Sequence, residues 1–163
     1  GAGVPFRAAK IIDQGMTDKI IEKSFKNLEI LGTAWYQARN LNNAVEVLES
    51  AAKKADNGNL NARLAGIYLD LGRDKEAYKA AKKADKKGGV KRPDSNFLVM
   101  GNALINLNCF DDAISAFNKS LKKAKDKKAK KYPRQWIKYA ETEGNRLQRL
   151  RDVGLKIRGC GKA

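Results

Sequence analysis

The run Phe97-Leu98-Val99-Met100-Gly101-Asn102-Ala103-Leu104 places apolar residues at i, i+3 and i+7, with a glycine among them. At 3.6 residues per turn these share one stripe, so the run reads as an amphipathic helix whose buried face has a gap at Gly101. Ala113 and then bulky Phe117 follow downstream. The same order occurs twice before it. Leu28-x-x-Leu31-Gly32-x-x-Trp35 is followed by Ala44 and Leu48, and Leu64-Ala65-x-x-Tyr68 by Ala77, giving a period of 33 and then 36 residues. A period of that size marks stacked units, none of which can bury its apolar face alone. Each unit is predicted to be a helix, a turn and a second helix. The small residue lets the two helices approach, and the bulky residue three places on (Trp35, Tyr68, Leu104) fills the space beside it.

Turn chemistry agrees. Leu71-Gly72-Arg73-Asp74 puts glycine where the first helix of the middle unit should end, and Asn40 and Asn108 mark the same turn in its neighbours. Asp56-Asn57-Gly58-Asn59 separates the first unit from the second, and Gly88-Gly89-Val90-Lys91-Arg92-Pro93-Asp94 the second from the third.

The pattern resembles the tetratricopeptide repeat, a helical hairpin of about 34 residues. Counted from Phe25, Gly58 and Asp94, position 8 reads Gly32, Ala65 and Gly101; position 20 reads Ala44, Ala77 and Ala113; position 27 reads Ala51, Ala84 and Ser120. The departures are Asn61 at position 4 and Ala81 at position 24 of the middle unit, and the absence of proline at position 32 from all three. The resemblance covers residues 25 to 127. It implies an all-α chain: a right-handed superhelical solenoid of such hairpins closed by a C-terminal capping helix. The expected division is a half-repeat over 4–24, repeats over 25–57, 58–93 and 94–130, a capping helix over 131–151 and a loose tail over 152–163. Pro5 to Asp13 reads as a second helix without its first, as though the chain opened in mid-repeat. In the capping helix Trp136, Ala140, Leu147 and Leu150 share one face.

The resemblance places function on the concave face lined by the first helices, where such repeats bind an extended or helical peptide. The candidate groove residues are Lys26, Thr33, Tyr36, Gln37, Arg63, Leu69, Asp70, Asn102, Ile105 and Asn106. Tyr36, Leu69 and Ile105 would form an apolar row, with packing against neighbouring helices the competing reading for Leu69 and Ile105. Asn102 and Asn106 could pair with a peptide backbone, since an amide offers both donors and an acceptor. Some relatives of this type clamp a C-terminal carboxylate with Lys, Asn and Arg. Here those places hold Glu29, Thr33, Arg63, Ser95 and Val99, so no carboxylate clamp is expected.

Among the 163 residues, 34 Lys and Arg stand against 18 Asp and Glu, a formal charge of +16 that attracts acidic partners. The surplus is densest from Lys119 to Arg134, with nine basic residues and one acid, including Lys122, Lys123, Lys127, Lys128, Lys130 and Lys131. This stretch reads first as a solvated face, and alternatively as a patch for an acidic protein, phospholipid head groups or nucleic acid. Nucleic acid is disfavoured, because arginine is scarce there and no aromatic platforms interleave with the lysines.

With no histidine, triad, Cys-His and His-zinc chemistries are excluded. No P-loop, no G-x-G-x-x-G and no G-x-S-x-G elbow is present. Adjacent Asp111 and Asp112 fit a helix start better than an acid–base pair. No enzyme, cofactor or metal site is expected. Cys109 and Cys160 lack any metal-ligand or Cys-x-x-Cys spacing; two free thiols are the favoured reading, with one disulfide left open. No apolar run is long enough to cross a bilayer. Gly1-Ala2-Gly3 reads as a cloning scar, so a signal segment could have preceded it.

A narrower likeness lies in Lys86-Lys87-Gly88-Gly89-Val90-Lys91-Arg92-Pro93-Asp94, in Phe97 to Leu104 and in Gln135-Trp136-Ile137-Lys138-Tyr139. These strings are similar to the C-terminal part of proteobacterial tetratricopeptide proteins that accompany TonB, ExbB and ExbD. That resemblance implies a periplasmic accessory of TonB-dependent uptake, with protein partners from that system and a cytoplasmic location as the alternative.

Overall fold

The computed structural model describes residues 3–161. Within them the chain is all-helical: α1 (Gly3–Thr17), α2 (Phe25–Gln37), α3 (Leu41–Lys54), α4 (Asn59–Asp70), α5 (Asp74–Lys87), α6 (Pro93–Asn106), α7 (Phe110–Lys123) and α8 (Lys127–Asp152). Packing runs along the chain, with α2 on α3, α4 on α5, α6 on α7 and α7 on α8 as the hairpins, and α3 on α4 and α5 on α6 as the joints between them. This is a helical-repeat solenoid with a core continuous from α1 to α8.

The small–large alternation in the sequence is the packing code. A Cβ on Gly32 would lie 2.5 Å from Leu48 Cδ2, and one on Gly101 2.3 Å from Phe117 Cε1. Each glycine therefore admits the bulky side chain of its own hairpin's second helix. The middle hairpin solves the same problem differently, with Ala65 and a reduced Ala81 at the equivalent positions; both are fully buried.

Each hairpin turn is closed by one left-handed residue at the same repeat position: Arg39, Gly72 and Asn108, at φ 60°, 68° and 59°. Asn40, expected to mark this turn, instead caps α3, its side chain accepting from the Asn43 amide. The left-handed step falls on Arg39. Pro93 sits in the first turn of α6, where its missing N–H is one the helix would leave unbonded in any case.

The capping helix starts earlier than 131. Asp126 accepts from the Ala129 amide at 2.7 Å and caps α8 at Lys127, so buried Pro133 lies inside the helix. Trp136 then stacks on Phe117 with centroids 6.3 Å apart, while Ala140 and Leu147 are buried against the last hairpin. At the other end Phe6 of α1 meets Trp35 edge-on at 5.6 Å.

Two sequence expectations are corrected at the C-terminus. Cys109 and Cys160 are joined in a disulfide, so neither is free. The tail, expected to be loose, returns to the turn between α6 and α7: the Gly161 amide donates to Leu107 O at 2.9 Å, and Asn108 Nδ2 to Arg158 O at 3.4 Å. The reversal occurs at Gly154, whose φ of 86° suits glycine. No helix among the described residues is long and apolar enough to cross a membrane.

Candidate functional site

The first helices α2, α4 and α6 carry the face that the sequence assigns to a partner. Its centre is Arg63. One guanidinium nitrogen donates to Thr33 Oγ1 at 2.8 Å, and the guanidinium carbon lies 5.4 Å from the centre of the Tyr36 ring. Thr33 in turn donates to Glu29 O at 2.7 Å, so its hydroxyl is oriented to accept from Arg63. Three of the candidate residues are thus brought together across α2 and α4. Guanidinium has five N–H donors, and the bond to Thr33 leaves most of them for another group.

Two clefts flank this centre. One, of about 420 Å³, lies between α1 and α2; Lys26, Thr33 and Gln37 line it with Glu29, Ile12 and Ile30. The other, of about 250 Å³, lies between α4 and α6. Asn96 forms part of its wall with Arg63, Lys91 and Arg92. Asn96 is 3% exposed; its Nδ2 donates to Ala81 O at 3.0 Å, while its Oδ1 has no partner. Sequence reasoning missed Asn96, because it precedes Phe97 at a position where the repeat pattern fixes no residue type. The signal that could have found it is an amide just outside a strongly apolar stripe.

The remaining candidates divide. Asn102 Oδ1 is also buried without a partner, in keeping with a role for its amide. Asn106 is already engaged, its Nδ2 donating to Asp74 Oδ1 at 2.8 Å, which ties the end of α6 to the start of α5. Ile105 belongs to the core, 8% exposed, and Leu69 is partly buried against it. The expected apolar row therefore reduces to Tyr36 and part of Leu69. The cause is local: α6 packs on α4, α5, α7 and α8, so little of its surface stays open. Asp70 is exposed at the end of α4.

Electrostatically the face is positive. The Arg92 guanidinium grips Asp94 through two bonds of 3.1 and 2.9 Å and holds that carboxyl below the usual carboxylate range. Asp94 also receives Ser120 Oγ on its carbonyl at 2.7 Å, fixing α6 to α7. In the basic region Lys122 and Lys123 end α7, whereas Lys127, Lys128, Lys130 and Lys131 lie in the first turns of α8. Five of the six are exposed, Lys130 being half-buried, and among the described residues none forms an ion pair. Cys109, Asp112 and Cys160 bring ligand atoms within 4.8 Å of one another. With both sulfurs in the disulfide, no thiolate is left to bind a metal there.

Solved structures with this arrangement of helices are tetratricopeptide-repeat domains and proteins shaped like them. The Arabidopsis OM64 TPR domain superposes with a TM-score of 0.63 at 21% identity, over 73% of this chain and 95% of that one. The fold is that of a tetratricopeptide-repeat domain. MamA superposes with a TM-score of 0.66 at 14% identity, over 90% of this chain and 92% of that one. MamA AMB-1 does so at 0.63 and 20% identity, covering 96% and 87%. No family model matches the sequence, and no curated protein matches it either. At such identities the likeness carries the tetratricopeptide-repeat fold and no more.

Proposed function

We propose that the chain is a non-catalytic scaffold that binds an extended segment of a partner protein across α2, α4 and α6. The observation that carries this reading is Arg63, oriented by Thr33 over the Tyr36 ring with donors to spare, on the rim of the α4/α6 cleft beside Lys91. The rim favours acidic side chains on that segment. Tyr36, pinned under Arg63, supplies an apolar surface beside the cleft.

The location follows the same status of proposal. A disulfide persists in oxidising compartments, so the Cys109–Cys160 bond supports a periplasmic or other extracytoplasmic site over the cytoplasm. The narrower reading, an accessory of TonB-dependent uptake, rests on the sequence strings alone. Capture experiments on cell-envelope extract test both: recovery of TonB, ExbB or ExbD components through the groove supports it, and their absence from the captured set contradicts it.

The groove itself is tested by Tyr36→Ala combined with Arg63→Ala. This variant should lose at least about tenfold in affinity for captured partners. Full-strength capture would contradict the assignment. The alternative, a basic module acting through residues 119–134, is favoured by the unpaired lysines and makes the opposite expectation, binding that follows those lysines and fades with salt.

A further inference from the structure

A third cavity, of about 430 Å³, lies away from the groove, between the second helices α3 and α5 and over the outer side of α4. It occurs in the middle repeat, which departs furthest from the pattern. Asn61 stands where the neighbouring repeats carry Leu28 and Phe97, both buried in the core. Asn61 is only 4% exposed and forms part of the cavity wall, yet its amide makes no hydrogen bond among the described residues: Oδ1 is fully enclosed, whereas Nδ2 is not. An amide in place of a leucine at such depth forgoes apolar contact and leaves an acceptor unmet.

The rest of the wall is graded. Along α4 the floor runs Asn61, Leu64, Tyr68, about 10 Å from end to end at 1.5 Å per residue. At the Tyr68 end both carboxylates are already committed: Glu49 accepts from the Tyr68 hydroxyl, and Glu76 pairs with Arg73 at 2.9 Å. Arg73 also lies over the Tyr68 ring, 4.7 Å from its centre. Burial, then the hydrogen bond to Glu49 and its charge, push the Tyr68 phenol pKa well above its ordinary range. The other walls present the exposed ammonium groups of Lys53, Lys79 and Lys83 above apolar Ala52 and Ala80. None of these three lysines has an ion-pair partner among the described residues.

We propose that this cavity is a second binding site, separate from the groove, for an acidic residue in amide linkage. Asn61 Nδ2 donates to the carbonyl of that amide, the aliphatic part lies on Leu64 with Ala52 and Ala80, and the carboxylate is held by Lys53 and Lys83. A charged lysine can meet the carboxylate but has no acceptor for the Asn61 amide N–H, so both parts of the ligand are required. The occupant is an acidic residue of a peptide separate from the segment in the groove.

Two probes test it: acetyl-Leu-Glu-amide and its neutral counterpart acetyl-Leu-Gln-amide, titrated into the full chain and followed by amide NMR shifts. The acidic probe should shift Asn61, Lys53, Lys79 and Lys83 saturably, with a Kd in the low millimolar range or below, on the order of the value for a few good contacts. The neutral probe should bind about tenfold more weakly, and so should the acidic probe to a Lys53→Gln, Lys83→Gln double variant. Asn61→Leu restores the residue that the first repeat carries as Leu28, so it should fold normally and lose the acidic probe by at least about tenfold. Absence of saturable shifts, equal binding of the two probes, or undiminished binding by Asn61→Leu would each overturn the site. Groove variants leave these shifts unchanged, so failure here and failure of the groove are read separately.

Discussion

Arg39 shows how a single residue can sit against its own preference. It adopts the left-handed conformation that Gly72 and Asn108 adopt in the neighbouring turns, at a cost of about 1 kcal/mol relative to glycine. Arg39→Gly should therefore stabilise the protein by about 0.5–1 kcal/mol, raising the melting temperature by roughly 1–4 °C for a chain of this size. Unchanged or lower melting in calorimetry would mean that the Arg39 side chain supplies an offsetting contact. Asp94 acts at the same scale. Its carboxyl is held below the ordinary value, chiefly by the hydrogen bonds from Arg92, so its contribution is present above the unfolded-state pKa of about 3.9 and is lost as pH falls through the lower folded value. Asp94→Asn should cost about 1 kcal/mol or less in urea unfolding at pH 7, because Arg92 is 70% exposed, and the difference from the parent should shrink at acid pH. A gap that stays constant with pH would show that the ion pair contributes nothing.

At the scale of helices and hairpins, the close approach of α6 and α7 depends on the absence of one methyl group. Gly101→Ala drives a Cβ into the Phe117 ring and should destabilise by about 1–3 kcal/mol. Reducing Phe117 to Ala in the same chain reproduces the Ala65–Ala81 solution of the middle hairpin. In the resulting double-mutant cycle the two changes should therefore be less costly together than the sum of each alone. Additivity would contradict the packing account. The disulfide operates at this scale too, closing the tail onto the start of α7 across 51 residues. Cys160→Ser should cost about 2–4 kcal/mol and release the tail, seen as loss of amide protection at Gly161.

These elements also mark what the sequence could and could not disclose. Hairpins were legible because Gly32, Ala65 and Gly101 repeat with a bulky partner at a fixed distance, a constraint of local packing. The disulfide was not, because its geometry depends on a chain reversal at Gly154 that no periodicity records. For the groove, Thr33, Tyr36 and Arg63 were found from repeat position and do converge. Ile105 and Asn106 occupy equivalent positions yet are consumed by packing and by Asp74, since position in a repeat fixes direction but not what the neighbouring helix brings against it. Asn96 and Asn61 carry unmet acceptors, and an unmet acceptor is visible only when every surrounding atom is placed.

On the scale of the whole molecule the issue is which surface recognises a partner. A charge of +16 attracts acidic proteins from any direction, accelerating encounter without selecting a site. Selection needs fixed geometry, and the α2–α4–α6 face has it in the oriented Arg63 and the Tyr36 ring beneath it. The lysines of α7 and α8 have charge without such fixed partners. Binding by the groove should lose only part of its strength between low and moderate salt, whereas binding by the lysines should lose most of it. The deciding measurement is capture from cell-envelope extract by the full chain at both salts, set beside Tyr36→Ala/Arg63→Ala and a variant with the lysines of 122–131 changed to glutamine. The groove account requires partners that survive moderate salt, persist with the glutamine variant and disappear with the groove variant. Partners that wash off with salt, vanish with the lysines and ignore Tyr36 and Arg63 would contradict it.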